Sequence, residues 1–130
     1  MSGLPLIGLP PTVRIYLSAG ATDLRRSIDG LCNLVVEKLA LAPQSGHLFV
    51  FRNRGGDRVK ILVWDRSGFW LLYKRLEKGT FAWPKEKDGA VEVRSTDLTL
   101  LLCGVDPRRA KRRRWYDGDV YESSSPTLDG

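Results

Sequence analysis

The sequence contains little of what most enzyme active sites are built from. Of its 130 residues, one is histidine, one is methionine and two are cysteine. With His47 as the sole histidine, most histidine-dependent catalytic triads and mononuclear zinc enzymes are excluded, and a structural role is expected for it. Cys32 and Cys103 lie in apolar periodic segments, so we expect two small buried side chains, a reducing cytoplasmic environment and no metal site.

Long apolar runs and nucleotide-binding patterns are also missing. No apolar stretch approaches the length of a membrane span, and the N-terminal MSGLPLIGLPP lacks the basic start and cleavage site of a signal peptide. The glycines of RNRGGDR precede a predicted strand and not a helix, so they do not form a phosphate loop. We therefore expect a soluble protein with no cofactor and no membrane partner.

Positive charge is abundant but unevenly distributed. The net charge is +6, and the segment RRAKRRR at residues 108–114 holds six of the 21 lysines and arginines. A basic run near a chain end is as typical of a solvated tail as of a nucleic-acid contact. We assign residues 1–12 to a loose arm, 13–106 to one domain and 107–130 to a basic, then polar, disordered tail.

The first half of the predicted domain is a strand followed by a long helix. TVRIYLSAG alternates apolar and polar residues, as a half-buried strand does. TDLRRSIDGLCNLVVEKLAL has apolar residues at helical spacing, with Thr22 as its expected N-cap and Arg25 placed to pair with Asp29. This segment predicts one long amphipathic helix.

Three strands in a meander are predicted next. The pair Gly55-Gly56 indicates a two-residue hairpin loop with positive φ at both glycines, which places Phe51 opposite Lys60. A third strand, FWLLYKRL, follows the turn DRSG, whose odd or even length the sequence leaves open. A short strand AVEVR and a short helix STDLTLLLCG complete an α+β fold: an antiparallel meander with one long helix on one face and a short helix near the C-terminus.

The strongest functional signal is the mixture of basic and aromatic residues in the meander. Such side chains neutralise phosphates and stack on bases, although the same residue types are also ordinary strand formers and edge protectors. The predicted DNA- or partner-binding residues of the meander are Arg52, Arg54, Arg58, Lys60, Arg66, Lys74, Arg75, Lys78, Trp64 and Trp70. Those of the tail are Arg108, Arg109, Lys111, Arg112, Arg113 and Arg114.

Carboxylates give a weaker alternative, a metal-dependent nuclease. The candidates, Asp23, Asp29, Asp65, Glu77 and Asp97, each have a simpler local role in a turn, a helix start or an ion pair. We therefore predict no catalytic residue and no metal ligand.

Three segments carry a family resemblance: TDLRRSIDGL, then GHLFVFRNRGGDRVKILVWDRSGFWLLYKRLEKGTFAWP, and finally TDLTLLLCGVD. In this order, from Val13 to Asp106, they resemble the TnpB accessory protein, the second reading frame of the sixty-six family of bacterial insertion sequences. Asp23, Arg25 and Asp29 match positions of the family motif whose role is not known. The segment after Asp106 does not match well.

The resemblance implies an accessory role in transposition beside a separate transposase that carries the catalytic residues. The expected function is a non-catalytic factor that binds the transposase, DNA at the element ends, or both, through the arginine- and aromatic-rich sheet face. The alternative is a protein-interaction or homo-oligomerisation module without DNA binding.

Overall fold

Five strands form one sheet in the computed structural model, which describes residues 10–105. The strands are β1 (Ile15–Ser18), β2 (Leu48–Arg52), β3 (Arg58–Asp65), β4 (Gly68–Arg75) and β5 (Ala90–Val93). The helices are α1 (Ile28–Glu37) and α2 (Ser95–Cys103), with a 3₁₀ helix at Pro43–Ser45. Across the sheet the strand order is β4-β3-β2-β1-β5.

The sheet is mixed, which corrects the prediction of an antiparallel meander for the whole sheet. β2, β3 and β4 do form an antiparallel meander, and β5 is antiparallel to β1, but β1 lies parallel to β2. Parallel neighbours need a crossover connection, and α1 lies in the connection between these two strands. A period of two in the sequence marks a strand but says nothing about its direction.

The predicted long helix is not confirmed, because α1 is ten residues long and leaves the segment from Thr22 outside it. The Thr22 amide donates to the Arg52 carbonyl over 2.8 Å, so Thr22 is not a helix cap. Asp23 Oδ1 accepts the Arg25 amide over 3.0 Å. This local hydrogen bond gives the backbone an alternative to the helix. The Arg25 side chain also pairs with Asp23, and not with Asp29 as predicted.

The register of the β2–β3 hairpin is confirmed, with Phe51 opposite Lys60, but its predicted loop is wrong in detail. The Asn53 amide donates to the Arg58 carbonyl over 3.1 Å, which closes a four-residue loop. Only the second glycine, Gly56, has a positive φ, of 77°. Loops of two and four residues centred on the same pair preserve one register, so the strand pairing is unchanged.

The β3–β4 turn has the even length that the sequence left open. Trp64 pairs with Phe69, and Arg66 in the turn has a positive φ, of 52°. Side chains alternate along a strand, so this register places Trp70 on the opposite sheet face from Trp64. Trp70 is the more exposed of the two, at 47%.

Each face of the sheet packs against one helix. On the aliphatic face, α2 and Phe81 close a core over residues such as Leu48, Val50 and Ile61. On the other, which we call the aromatic face, α1 packs on Phe49, Phe51 and Leu62, all fully buried. These phenylalanine rings therefore form the core beneath α1 and are not displayed on the surface.

The second helix is confirmed. Leu98 and Leu101 are buried, and Gly104, whose φ is 80°, caps the C-terminal end of the helix. The carboxylate of Asp97 accepts the Arg94 amide over 3.0 Å, and this pair closes the first turn. Among the described residues, neither helix is long and apolar enough to cross a membrane.

His47 has a structural hydrogen bond, and the two cysteines differ in solvent exposure. His47 Nδ1 accepts the Arg14 amide over 2.9 Å, which is the structural role predicted for it. Cys32 is half-buried on α1, whereas Cys103 is exposed, so the prediction of two buried cysteines is wrong for the second. Cys103 is the last residue of α2, where the core beneath the helix ends.

Candidate functional site

A groove of about 850 Å³ opens beside α1 at the loop end of the β2–β3 hairpin. Its floor is the uncovered part of the aromatic face on β3 and β4, one wall is the 21–25 turn, and one end is the hairpin loop. The residues that line it are Ala21, Thr22, Asp23, Leu24, Arg25, Asn53, Arg54, Gly55, Arg58, Lys60, Leu71 and Tyr73. The groove therefore joins residues that are distant in sequence.

The wall of the groove carries an ion pair between two family-motif positions. Arg25 Nη2 lies 2.7 Å from Asp23 Oδ2, and Arg25 Nε also donates to this carboxylate. The side-chain hydrogen bond from Arg25 holds the pKa of Asp23 well below its usual range and raises the pKa of Arg25. Since Asp23 is the only carboxylate among the lining residues, its negative charge is already matched within the wall.

Lys60 anchors this wall to the floor. Its Nζ donates to the Leu24 carbonyl over 2.6 Å and lies within 3.5 Å of the Arg26 carbonyl. The same ammonium lies 5.8 Å from the centroid of the Tyr73 ring, its neighbour across the β3–β4 pair. Lys60 thus contacts both the turn and the Tyr73 ring, and these contacts use part of its charge.

Arg54 and Arg58 are two basic residues of the groove whose charged groups have no ion-pair partner within residues 10–105. Both side chains are exposed. The nearby carboxylate of Asp57 instead accepts Asn53 Nδ2 over 2.8 Å, which lowers the pKa of Asp57. Two guanidinium groups therefore remain available to an anionic ligand at the open end of the groove.

The other predicted arginines and lysines of the sheet lie elsewhere. Arg52 is half-buried over the Trp83 ring, 5.7 Å from its centroid, and its Nε is buried without a hydrogen-bond partner among the described residues. Lys74 Nζ donates to the Leu102 carbonyl at the end of α2 over 2.8 Å. Arg75 pairs with Glu77 over 3.1 Å. These side chains already have partners within the protein.

The remaining predicted site residues do not join the groove. Arg66 and Lys78 are exposed away from its lining. Trp64 is half-buried against Phe69, and Trp70 Nε1 donates to Asp65 over 2.9 Å. The basic residues predicted in the tail, at 108–114, lie outside the residues that the structure describes.

The carboxylates considered for metal-dependent catalysis are separated. Asp23, Asp65, Glu77 and Asp97 each bond to a different nearby partner, as described above. Within residues 10–105, no three histidine, cysteine or carboxylate side chains lie close enough to hold a metal ion. The described fold therefore lends no support to the nuclease alternative.

Sequence reasoning did not predict the two β4 residues on the floor of the groove, Leu71 and Tyr73. Tyr73 is 55% exposed and faces Lys60 across the sheet. The sequence feature that could have identified Tyr73 is the length of the β3–β4 turn. A turn of two residues pairs Tyr73 with Lys60. That parity was left open, so the ring could not be assigned to a face.

The chain was compared with known proteins. A family model described as "IS66 Orf2 like protein" matches residues 13–112, and so extends past Asp106, where the motif resemblance was expected to end. The uncharacterized protein y4hO of Sinorhizobium fredii is 41% identical over 96 residues, covering 74% of this chain and 84% of that protein. A second protein of that organism, the uncharacterized protein y4jC, is 39% identical over 108 residues, covering 83% and 92%. No solved structure matches the chain.

Proposed function

Because the chain belongs to the family of IS66 Orf2-like proteins, which are accessory proteins of insertion-sequence transposition, we propose that it is a non-catalytic factor that binds DNA at the element ends. The groove beside α1 is the proposed contact surface. The separate transposase of the same element is the proposed partner that would share this DNA.

One observation carries the proposal: the groove brings Arg25, Arg54, Arg58 and Lys60 together with a single carboxylate, Asp23. Four cations against one anion leave a positive surface, and Arg54 and Arg58 have no acidic partner among the described residues. Arginine side chains at an exposed groove are suited to phosphate, because the guanidinium presents several donors in one plane. Phosphate contacts of this kind supply most of the affinity of a sequence-independent DNA contact.

The test is the salt dependence of binding to a duplex that carries the end sequence of the element. Fluorescence anisotropy is measured from about 50 to about 200 mM salt, and the slope of log K against log salt gives the number of phosphates neutralised. We expect Arg54→Ala and Arg58→Ala each to lower the magnitude of this slope by about 0.9. Both side chains are exposed in a turn or at a strand start, so the fold is expected to survive.

Arg14→Ala is the matched control. It also removes one exposed arginine, but Arg14 pairs with Glu92 over 3.2 Å at the opposite end of the sheet. An equal loss of slope in this variant would mean that overall charge, not the groove, attracts the DNA. Binding that does not depend on salt, or no binding by the folded protein, would overturn the proposal.

A second candidate function is protein docking on β4. This strand lies at the edge of the sheet, and its Trp70 is 47% exposed on the face away from the groove. Exposed edge strands and aromatic side chains are common features of interfaces. Sedimentation of the protein alone and with the transposase separates the two candidates, since docking on β4 predicts that Trp70→Ala weakens the assembly and leaves DNA binding unchanged.

A further inference from the structure

We propose that the groove accepts an unpaired nucleotide of the DNA, with the base stacked on Tyr73 and the adjacent phosphate held by Arg58 and Arg54. This inference rests on the proposed DNA-binding function and deepens it by naming the form of DNA that the groove recognises. It assigns a ligand-binding role to Tyr73, which no motif of the sequence indicates.

The position of Tyr73 is the first support. Its ring is 55% exposed although it lies on a strand of the sheet, with the half-buried Leu71 beside it on the same face. The ammonium of Lys60 lies 5.8 Å from the ring centroid and is itself held by the Leu24 carbonyl. An exposed aromatic ring on a sheet, with a cation beside it, is a stacking platform of the kind that single-strand-binding proteins use.

The surroundings of the ring fit a base more closely than a phosphate alone. Leu71 on the floor and Leu24 on the wall give the groove apolar surface, and Arg54, Arg58 and Lys60 line the same groove. A charged backbone gains nothing from leucine side chains, whereas the flat face of a base does. The groove thus offers both apolar surface and positive charge to the two chemically different parts of one nucleotide.

An intact duplex cannot use this arrangement. The faces of paired bases are covered by their neighbours in the stack, so a side chain reaches them only when the base is unpaired or turned out of the helix. Tyr73 lies within a groove and not on a projecting loop, so the base has to enter the groove. The structure therefore favours DNA with an unpaired strand over a fully paired duplex.

The experiment compares a blunt duplex with the same duplex carrying a short unpaired overhang. The unchanged protein is expected to bind the overhang form at least about fivefold more tightly, since stacking on one aromatic ring is worth about 1–3 kcal/mol. Tyr73→Leu is expected to abolish this preference, so that the two DNA forms bind with equal affinity, and Tyr73→Phe is expected to retain it. A 2-aminopurine in the overhang reports stacking directly, as fluorescence quenching that Tyr73→Leu removes.

Trp70→Leu is the matched control, because Trp70 lies on the same strand with similar exposure but on the opposite face. Equal affinity for the two DNA forms, or a preference that survives Tyr73→Leu, overturns the inference and leaves the proposed function standing if both forms still bind through Arg54 and Arg58. Loss of the preference in Trp70→Leu as well also overturns it. Failure of the folded protein to bind either form overturns both proposals.

Discussion

The aromatic face of the sheet has two halves that differ in one respect, whether α1 covers them. Beneath the helix, Phe49, Phe51 and Leu62 are fully buried. Beside it, Tyr73 is 55% exposed and stands next to Lys60 and Arg58. Both halves carry rings and apolar side chains on neighbouring strands, so residue composition alone does not separate core from site; the position of the helix does.

The helix start decides this division. Had α1 begun at Thr22, residues 22–27 would have lengthened it by roughly 9 Å and projected it further along the sheet. The bond from the Arg25 amide to the Asp23 carboxylate favours a turn there instead, and Lys60 holds that turn through the Leu24 carbonyl. This turn thus takes the place of roughly 1.7 turns of helix, and the groove forms between it and the sheet.

The largest effect is expected in the covered half. Phe51→Ala removes a fully buried ring beneath α1 and should lower the free energy of unfolding by about 3–5 kcal/mol. Tyr73→Ala, in the open half, should change it by no more than about 0.5 kcal/mol. Urea denaturation followed by far-UV circular dichroism measures both. Similar losses in the two variants would show that the open half is also core, and the distinction between the halves would fail.

The next effect concerns the boundary between the halves. Lys60→Met keeps most of the side-chain length but removes the ammonium from the Leu24 carbonyl, so it should lower the free energy of unfolding by about 1–2 kcal/mol. Arg58→Met is the control, because Arg58 lies two residues earlier on the same face and is exposed. Arg58→Met should have little effect on the free energy of unfolding, and its main effect should be on the salt dependence of DNA binding. Equal destabilisation by both variants would contradict the anchoring role of Lys60.

Much of the fold was predictable because it follows from local patterns. The pairing of Phe51 with Lys60 depends on alternation and on the place of the Gly55-Gly56 loop, and both are visible in the sequence. The end of α2 at Gly104 is marked by a residue that tolerates its φ of 80°. The parallel pairing of β1 with β2 was not predicted, because strand direction is decided by the crossover and not by either strand.

Less of the candidate site was predictable. Arg54, Arg58 and Lys60 were among the predicted residues and do line the groove, whereas Arg52 and Lys74 bind other parts of the protein. A count of basic residues cannot distinguish these cases, because the distinction depends on which carbonyl or ring each side chain meets in three dimensions. The exposure of Tyr73 required both the turn parity and the true start of α1.

The smallest expected effect is the pH dependence of stability that comes from the Asp23–Arg25 ion pair in the groove wall. The hydrogen bonds from Arg25 lower the folded-state pKa of Asp23 below its ordinary value of 3.8. A depressed carboxyl pKa contributes stability above the unfolded value, and that contribution is lost as the pH falls below 3.8 toward the lower folded-state pKa. The loss is expected to be small, because both side chains are largely exposed to solvent.

Carboxyl NMR titration measures this directly. The Asp23 signal should still report an ionised carboxylate where exposed aspartates are protonated, and in Arg25→Gln its pKa should return toward 3.8. Asp57 is an internal reference, because its pKa is lowered mainly by Asn53 and should not move in that variant. An ordinary pKa for Asp23 in the unchanged protein would mean that Arg25 is not held at the wall. Arg25 would then join Arg54 and Arg58 as a third arginine free to contact an anionic ligand, while the net charge of the groove would stay the same.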